Sequence, residues 1–144
     1  MSASFDIDLN DPARGGVFFV TQDDIATLDK AAGNYPLRSL HIDLHGCTDK
    51  ASLMRHLNDA LHFPESFGDN WDALADSLRD LSWLKASGYL LLIVHGETLR
   101  DASEEDFDTL LDVLDEAAEH WFDNQIPFFA FVALPESAFD EADA

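Results

Sequence analysis

Tyr89 to Val94 reads YLLLIV, an apolar run without a polar break. A strand covered on one face alternates apolar and polar side chains, so an unbroken run of this length is expected for a strand buried on both faces. Phe128 to Leu134, FFAFVAL, is a second such run, set off by Pro127, and Gly96 ends the first. Between them Ser103-Glu104-Glu105-Asp106 opens a long stretch with Phe107, Leu110, Leu111, Leu114, Ala118 and Trp121 at helical spacing. The acids of its first turn suit the positive end of a helix dipole. Strands of this kind alternating with helices predict an α/β layered domain built on a mainly parallel sheet.

The rest of the chain extends that pattern. Val17 to Val20 is a short apolar strand, followed by a capping-box sequence, Thr21-Gln22-Asp23-Asp24, and a modest helical stripe of Ile25, Leu28 and Ala32 ended by Gly33-Asn34. Ser39 to Leu44 alternates Leu40, Ile42 and Leu44 with His41 and Asp43, the period of a strand covered on one face. His45-Gly46-Cys47 turns the chain, and Thr48 is the expected cap of a helix from Asp49 to about Leu61. Ser82 to Gly88 is a connection containing Trp83. About four strands are therefore expected, with helices packed on them, in one domain over residues 16–134. Residues 1–15 read as a polar mobile arm, and residues 135–144 as a short, loose acidic tail.

Charge narrows the function classes. The chain carries 29 acidic against 8 basic residues, a net charge of −21. Phosphate backbones need Lys and Arg, so a generic nucleic-acid binder is excluded, whereas a basic protein partner is favoured through long-range steering. One cysteine, Cys47, forms no internal disulfide, which fits a reducing compartment. MSASFDIDLNDPARGG has no basic and apolar leader, and no run approaches the ~18 apolar residues of a membrane span. A cytoplasmic protein with no membrane contact is the expectation.

The stretch Phe63 to Leu81, FPESFGDNWDALADSLRDL, carries the candidate site. Pro64, Gly68 and Asp69 are loop and turn formers, and Asn70 is an expected N-cap. Trp71, Leu74, Leu78 and Leu81 make an apolar helical stripe facing a core. Asp72, Asp76 and Asp80 recur at i+4 steps on another face. Asp72 suits the helix dipole, but like charges at i, i+4 cost roughly 0.2–0.5 kcal/mol per pair. Two readings are open: a solvated acidic face, or acids serving something outside their own helix.

PESFGDNWDALADSL resembles the signature of the barstar family, small acidic intracellular inhibitors of ribonucleases such as barnase. The matching residues are Pro64, Glu65, Phe67, Gly68, Asp69, Asn70, Asp72, Ala73, Leu74, Asp76 and Leu78. The likeness is dense there, looser from Leu40 to about Leu134, and absent from residues 1–38. It implies a three-stranded parallel sheet, to which residues 16–38 add a βα unit. That unit is expected to add a strand, the alternative being that it lies across the inhibitor face. The resemblance also implies a protein without catalytic activity or cofactor, which plugs the active site of a basic ribonuclease or related toxin. Carboxylates on a rigid helix would take the place of phosphates there.

Position by position, Asp76 matches the acid that enters the catalytic pocket, Asp72 its neighbour one turn earlier, and Glu116 a further acid at the rim. Gly68 and Asn70 match loop contacts, Asn70 being equally open to a role as cap alone; Asp69 in the loop and Asp80 on the helix are added to the candidates, as is Phe67, open between an interface ring and a core residue. Two family aromatics are replaced, by Ser66 and by Ala75. Rings are the usual interface anchors, so their loss implies weaker affinity for barnase or a different cognate enzyme.

Two other function classes are open: an acidic adaptor for a basic protein that is not a nuclease, and a small metalloenzyme. The second would use His45 and His95, each before a glycine at a strand end (IDLHG, LLIVHG), with Cys47 nearby. Strand ends are where open α/β sheets bind ligands, and two His with a Cys can ligate zinc, but this spacing is no recognised metal motif. Gly15-Gly16 precedes a strand and so is not a phosphate loop.

Overall fold

The computed structural model describes residues 9–64, 70–135 and 137. Four strands, β1 (Gly16–Val20), β2 (Arg38–Asp43), β3 (Tyr89–Val94) and β4 (Phe128–Ala133), form one sheet in the order β1-β4-β3-β2. Every pairing is parallel. The helices are α1 (Gln22–Ala32), α2 (Lys50–Leu61), α3 (Trp71–Asp80), α4 (Gly96–Ala102) and α5 (Glu104–Asp123). No helix among the described residues is long and apolar enough to cross a membrane.

All six residues of β4 and the first five of β3 are buried. Because successive side chains point to opposite faces, the sheet feeds two cores. On one face Leu91, Ile93, Phe128, Ala130 and Val132 meet α2, α3, α4 and α5. On the other, Leu90, Leu92, Phe129 and Phe131 meet Ile25, Leu28 and Ala32 of α1. The expected layered α/β architecture is present, with one helix layer of four members and one of a single helix among the described residues.

The unit ahead of the family-like stretch joins the sheet, its strand β1 pairing with β4 in register from Gly16–Phe129 to Val20–Ala133. Entry into β1 needs a glycine: a Cβ on Gly15 would lie 2.6 Å from the Phe128 carbonyl oxygen. α1 is opened by the anticipated capping box, Thr21 N–H donating to the Asp24 carboxylate at 3.0 Å.

Three details differ from the sequence expectation. Within residues 9–15, read as part of a mobile arm, Leu9 is 2 % exposed in the α1-side core and Asp11 caps a 3-10 turn at Pro12–Arg14, while Asn10, Ala13 and Arg14 are exposed. Residues 1–8 of that arm, and residues 136 and 138–144 of the tail, lie outside the described residues. The cap of α2 is Asp49 instead of Thr48, because its carboxylate accepts from Ser52 N–H at 2.9 Å while Thr48 N–H is turned to Ser52 Oγ at 3.0 Å. Past β3 the chain forms α4 where only a strand end was expected. Gly96 opens it under Val132 and Phe107, 3.2 and 3.4 Å from where a Cβ would stand.

If α1 is an integral wall of the second core, Leu28→Ala is expected to cost about 2–5 kcal/mol, the usual range for a fully buried leucine. Urea unfolding measures it, and an unchanged midpoint would show the first βα unit to be an appendage.

Candidate partner-binding face on the third helix

α3 begins where the sequence places it. Asn70 Oδ1 accepts from Ala73 N–H at 2.8 Å, satisfying one of the orphan amides of the first turn. Leu74 and Leu78 are buried, and Trp71 and Ala75 pack half-buried against the same core. The stripe therefore turns Asp72, Asp76 and Asp80 outward, and all three are exposed.

The far end of α3 is fastened from outside. Its last-turn carbonyls have no intrahelical amide, and Trp121 of α5 donates its indole N–H to the Leu78 carbonyl at 2.8 Å. Trp83 does the same for the end of α2, donating to the Leu61 carbonyl at 2.9 Å, with Phe63 packed on its ring at 5.7 Å. Neither helix ends on glycine: His62 and Leu81 take the left-handed conformation at φ 52° and 46°. Indole donors thus hold both ends of the segment that carries the candidate site.

The acids differ in their surroundings. Asp76 accepts from Arg79 at 2.7 Å, with the carboxylate 77 % and the guanidinium 41 % exposed. An exposed i, i+3 pair of this kind holds together by little, typically 0–1 kcal/mol. Asp80 accepts from Ser82 Oγ at 3.0 Å. Asp72 has no ion pair among the described residues. Glu116 is exposed on α5, the helix that packs against α3. Ser66, Phe67, Gly68 and Asp69 lie outside the described residues.

At the carboxyl ends of β2 and β3 a second polar group gathers. Asp43 Oδ1 accepts from His45 N–H at 2.9 Å and from His95 Nδ1 at 2.7 Å. The two imidazoles stand edge to face at 5.4 Å, and His56 Nδ1 lies 2.8 Å from the Asp43 carbonyl. The His45 amide, then the His95 ring, hold the Asp43 carboxyl below the usual carboxylate range. Cys47 does not join them. It is fully buried, its Sγ 3.8 Å from the Ser52 carbonyl, and burial pushes its thiol up to about 11. The His45, Cys47, His95 zinc set is therefore not assembled, because the turn that exposes the histidines sends the thiol into the core. Among the described residues, no group of three or more His, Cys, Asp and Glu side chains is placed to hold a metal ion.

Two partners went unnoticed in the sequence. Arg79 stands three residues after Asp76, a spacing that pairs charges on any helix. Asp43 had only strand alternation to mark it.

Residues 37–133 match the family Barstar (barnase inhibitor). The chain belongs to the barstar family. That match spans β2 through β4 and leaves β1 and α1 outside it. Among curated proteins nothing matches the chain. Among solved structures it is similar to the Aeropyrum pernix ORC2 protein, determined in ADPNP-ADP complexes, at 13 % identity and TM-score 0.57 over 90 % of this chain and 38 % of that one. It is also similar to a chain of Drosophila ORC bound to DNA, at 19 % identity and TM-score 0.51 over 87 % and 33 %. These likenesses are of fold alone, and the chain spans only 38 % and 33 % of the two chains.

The placement of Cys47 predicts that native protein at pH 8 is not alkylated by iodoacetamide and that unfolded protein is. Rapid labelling of the native state, followed by mass spectrometry, would restore an accessible thiolate and with it the zinc reading.

Proposed function

We propose that the protein is a cytoplasmic inhibitor of a basic ribonuclease, or of a related toxin, made by the same cell, and that it has no catalytic activity of its own. The observation that carries this reading is the row Asp72, Asp76, Asp80, exposed on a helix whose other side is locked into the core. Membership of a family of barnase inhibitors and a net charge of −21 support it.

The mechanism is plugging. Carboxylates on α3 occupy positions where the enzyme expects phosphates and accept charge-assisted hydrogen bonds from its Arg and Lys side chains. Asp76 enters deepest, Asp72 lies beside it, and Glu116 pairs at the rim. Gly68, Asn70, Asp69, Phe67 and Ser66 supply the loop contacts, and Asp80 follows Asp76 one turn further along α3. Because α3 is rigid, little entropy is lost on docking. Asp76 exchanges Arg79 for a cation of the enzyme, a cheap exchange for an exposed pair. Ala75, half-buried against the core, and Ser66 offer no ring, which favours a cognate enzyme other than barnase itself. An adaptor for a basic protein that is not a nuclease is the competing reading, and RNA protection separates the two.

In a fluorogenic RNA assay the protein is expected to block a basic barnase-type ribonuclease at a one-to-one end point. Cleavage unchanged in the presence of excess protein would overturn the proposal. By titration calorimetry, Asp76→Ala is expected to lose about 1.5–3 kcal/mol, at least tenfold in Kd, with Asp72→Ala and Glu116→Ala losing less. Equal binding by wild type and Asp76→Ala would remove α3 from the interface. Association is expected to slow as salt rises, since screening shortens the reach of the steering charge.

A further inference from the structure

Among the described residues β1 has a strand beside it on one side only, at the end of the sheet order. The Val20 carbonyl accepts from Leu134 N–H at 2.9 Å. In a parallel ladder successive residues turn their polar groups to opposite sides, so Val17 and Phe19 point their N–H and C=O away from β4. The strand GVFFV carries none of the charges or prolines that guard exposed edges. Val17 packs on the α5 side of the core, and Phe19, two residues on and therefore on the same face, is 46 % exposed. Phe122, the other large exposed hydrophobic among the described residues, is 51 % exposed. It lines a cleft of 380 Å³ with Gly15 and Gly16 at the start of β1 and Asp115 and Glu119 of α5.

We propose that this edge is a docking site for an extended, basic segment of another protein, which adds as a fifth strand beside β1. Main-chain bonds to Val17 and Phe19 supply the pairing, and alternate side chains supply selectivity. Asp115 and Glu119 stand one helical turn apart beside the Phe122 ring, an arrangement that takes a lysine or arginine with its stem on the ring and its charge between the carboxylates. Phe19 receives an apolar side chain of the same segment. Arg14, the one cation between Asn10 and Val20, is drawn to Asp11 at 3.8 Å. Charge decides against a second copy of this chain, because two molecules of net −21 would meet through the same carboxylates. The site is distinct from the α3 face: Glu116 follows Asp115 about 100° around α5, and β1 lies outside the stretch that matches the barstar family.

Fluorescence anisotropy on the full chain tests this, with a short labelled peptide alternating lysine and valine and its glutamate–valine counterpart. Saturable one-to-one binding of the lysine peptide alone is expected. Phe19→Lys is expected to weaken it by at least about tenfold, as is Asp115→Asn combined with Glu119→Gln, a surface change that leaves β1 untouched; Asp76→Ala keeps full affinity. Melting curves confirm that each variant is folded. Equal affinity for Phe19→Lys and wild type would reduce the effect to general attraction by an acidic surface and overturn the proposal. So would a loss of binding in Asp76→Ala, a dimer dispersed by Phe19→Lys, or binding that appears only when residues 1–8 are removed, which would assign the edge to the chain's own segment.

Discussion

The two central strands are apolar on both faces, and each face must be kept from water. β3 and β4 therefore demand helix layers above and below. α2 to α5 cover one side, and on the other α1 and Leu9 cover Leu90, Leu92, Phe129 and Phe131. Among the described residues, the part of the chain that matches the barstar family, residues 37–133, contains no helix on that second side. The first βα unit is thus not an ornament on the fold. Its helix closes a core that the family-like strands leave open, and its strand moves the sheet edge outward from β4 to β1.

The same economy governs the candidate site. A helix can present carboxylates at fixed separation only if its own position is fixed, and α3 is ten residues long, too short to be stable alone. Its rigidity comes from Leu74 and Leu78 in the core, from the Asn70 cap, and from the Trp121 indole on the Leu78 carbonyl. Asp76 and Asp80 gain nothing from the macrodipole at the far end of the helix. What they gain locally is small, an exposed pair with Arg79 and one hydroxyl. Charge held outward by so much buried structure, with so little local return, is the physical basis for looking to a basic partner.

How much of this was legible in the sequence depended on whether the cause was local. Double burial leaves an unbroken apolar run, so β3 and β4 were readable nearly to the residue. The Asn70 cap and the Thr21 capping box depend on side chains a few residues apart, and they too were readable. α4 was not, since GETLRDA is held by Leu99 and by the close approach of Gly96 to Val132, with no stripe of its own. Leu9 looked like a stray apolar residue in a polar arm until α1 and the sheet supplied its pocket. Asp43 and His95 are 52 residues apart, and only the register of β2 against β3 makes them neighbours. The burial of Cys47 had no local mark at all.

Electrostatics joins the site to the whole. With 29 acidic residues and 8 basic ones, the chain has few cations, and one of them, Arg79, stands on Asp76. If α3 meets a positively charged cleft, that guanidinium both competes for the central carboxylate and repels the partner. The affinity of Arg79→Ala for a basic barnase-type ribonuclease, set against wild type by titration calorimetry, is therefore the most direct measurement. Tighter binding by the variant is the predicted result, and weaker binding would contradict the account, because it would mean that the face of α3 meets its partner through positive charge.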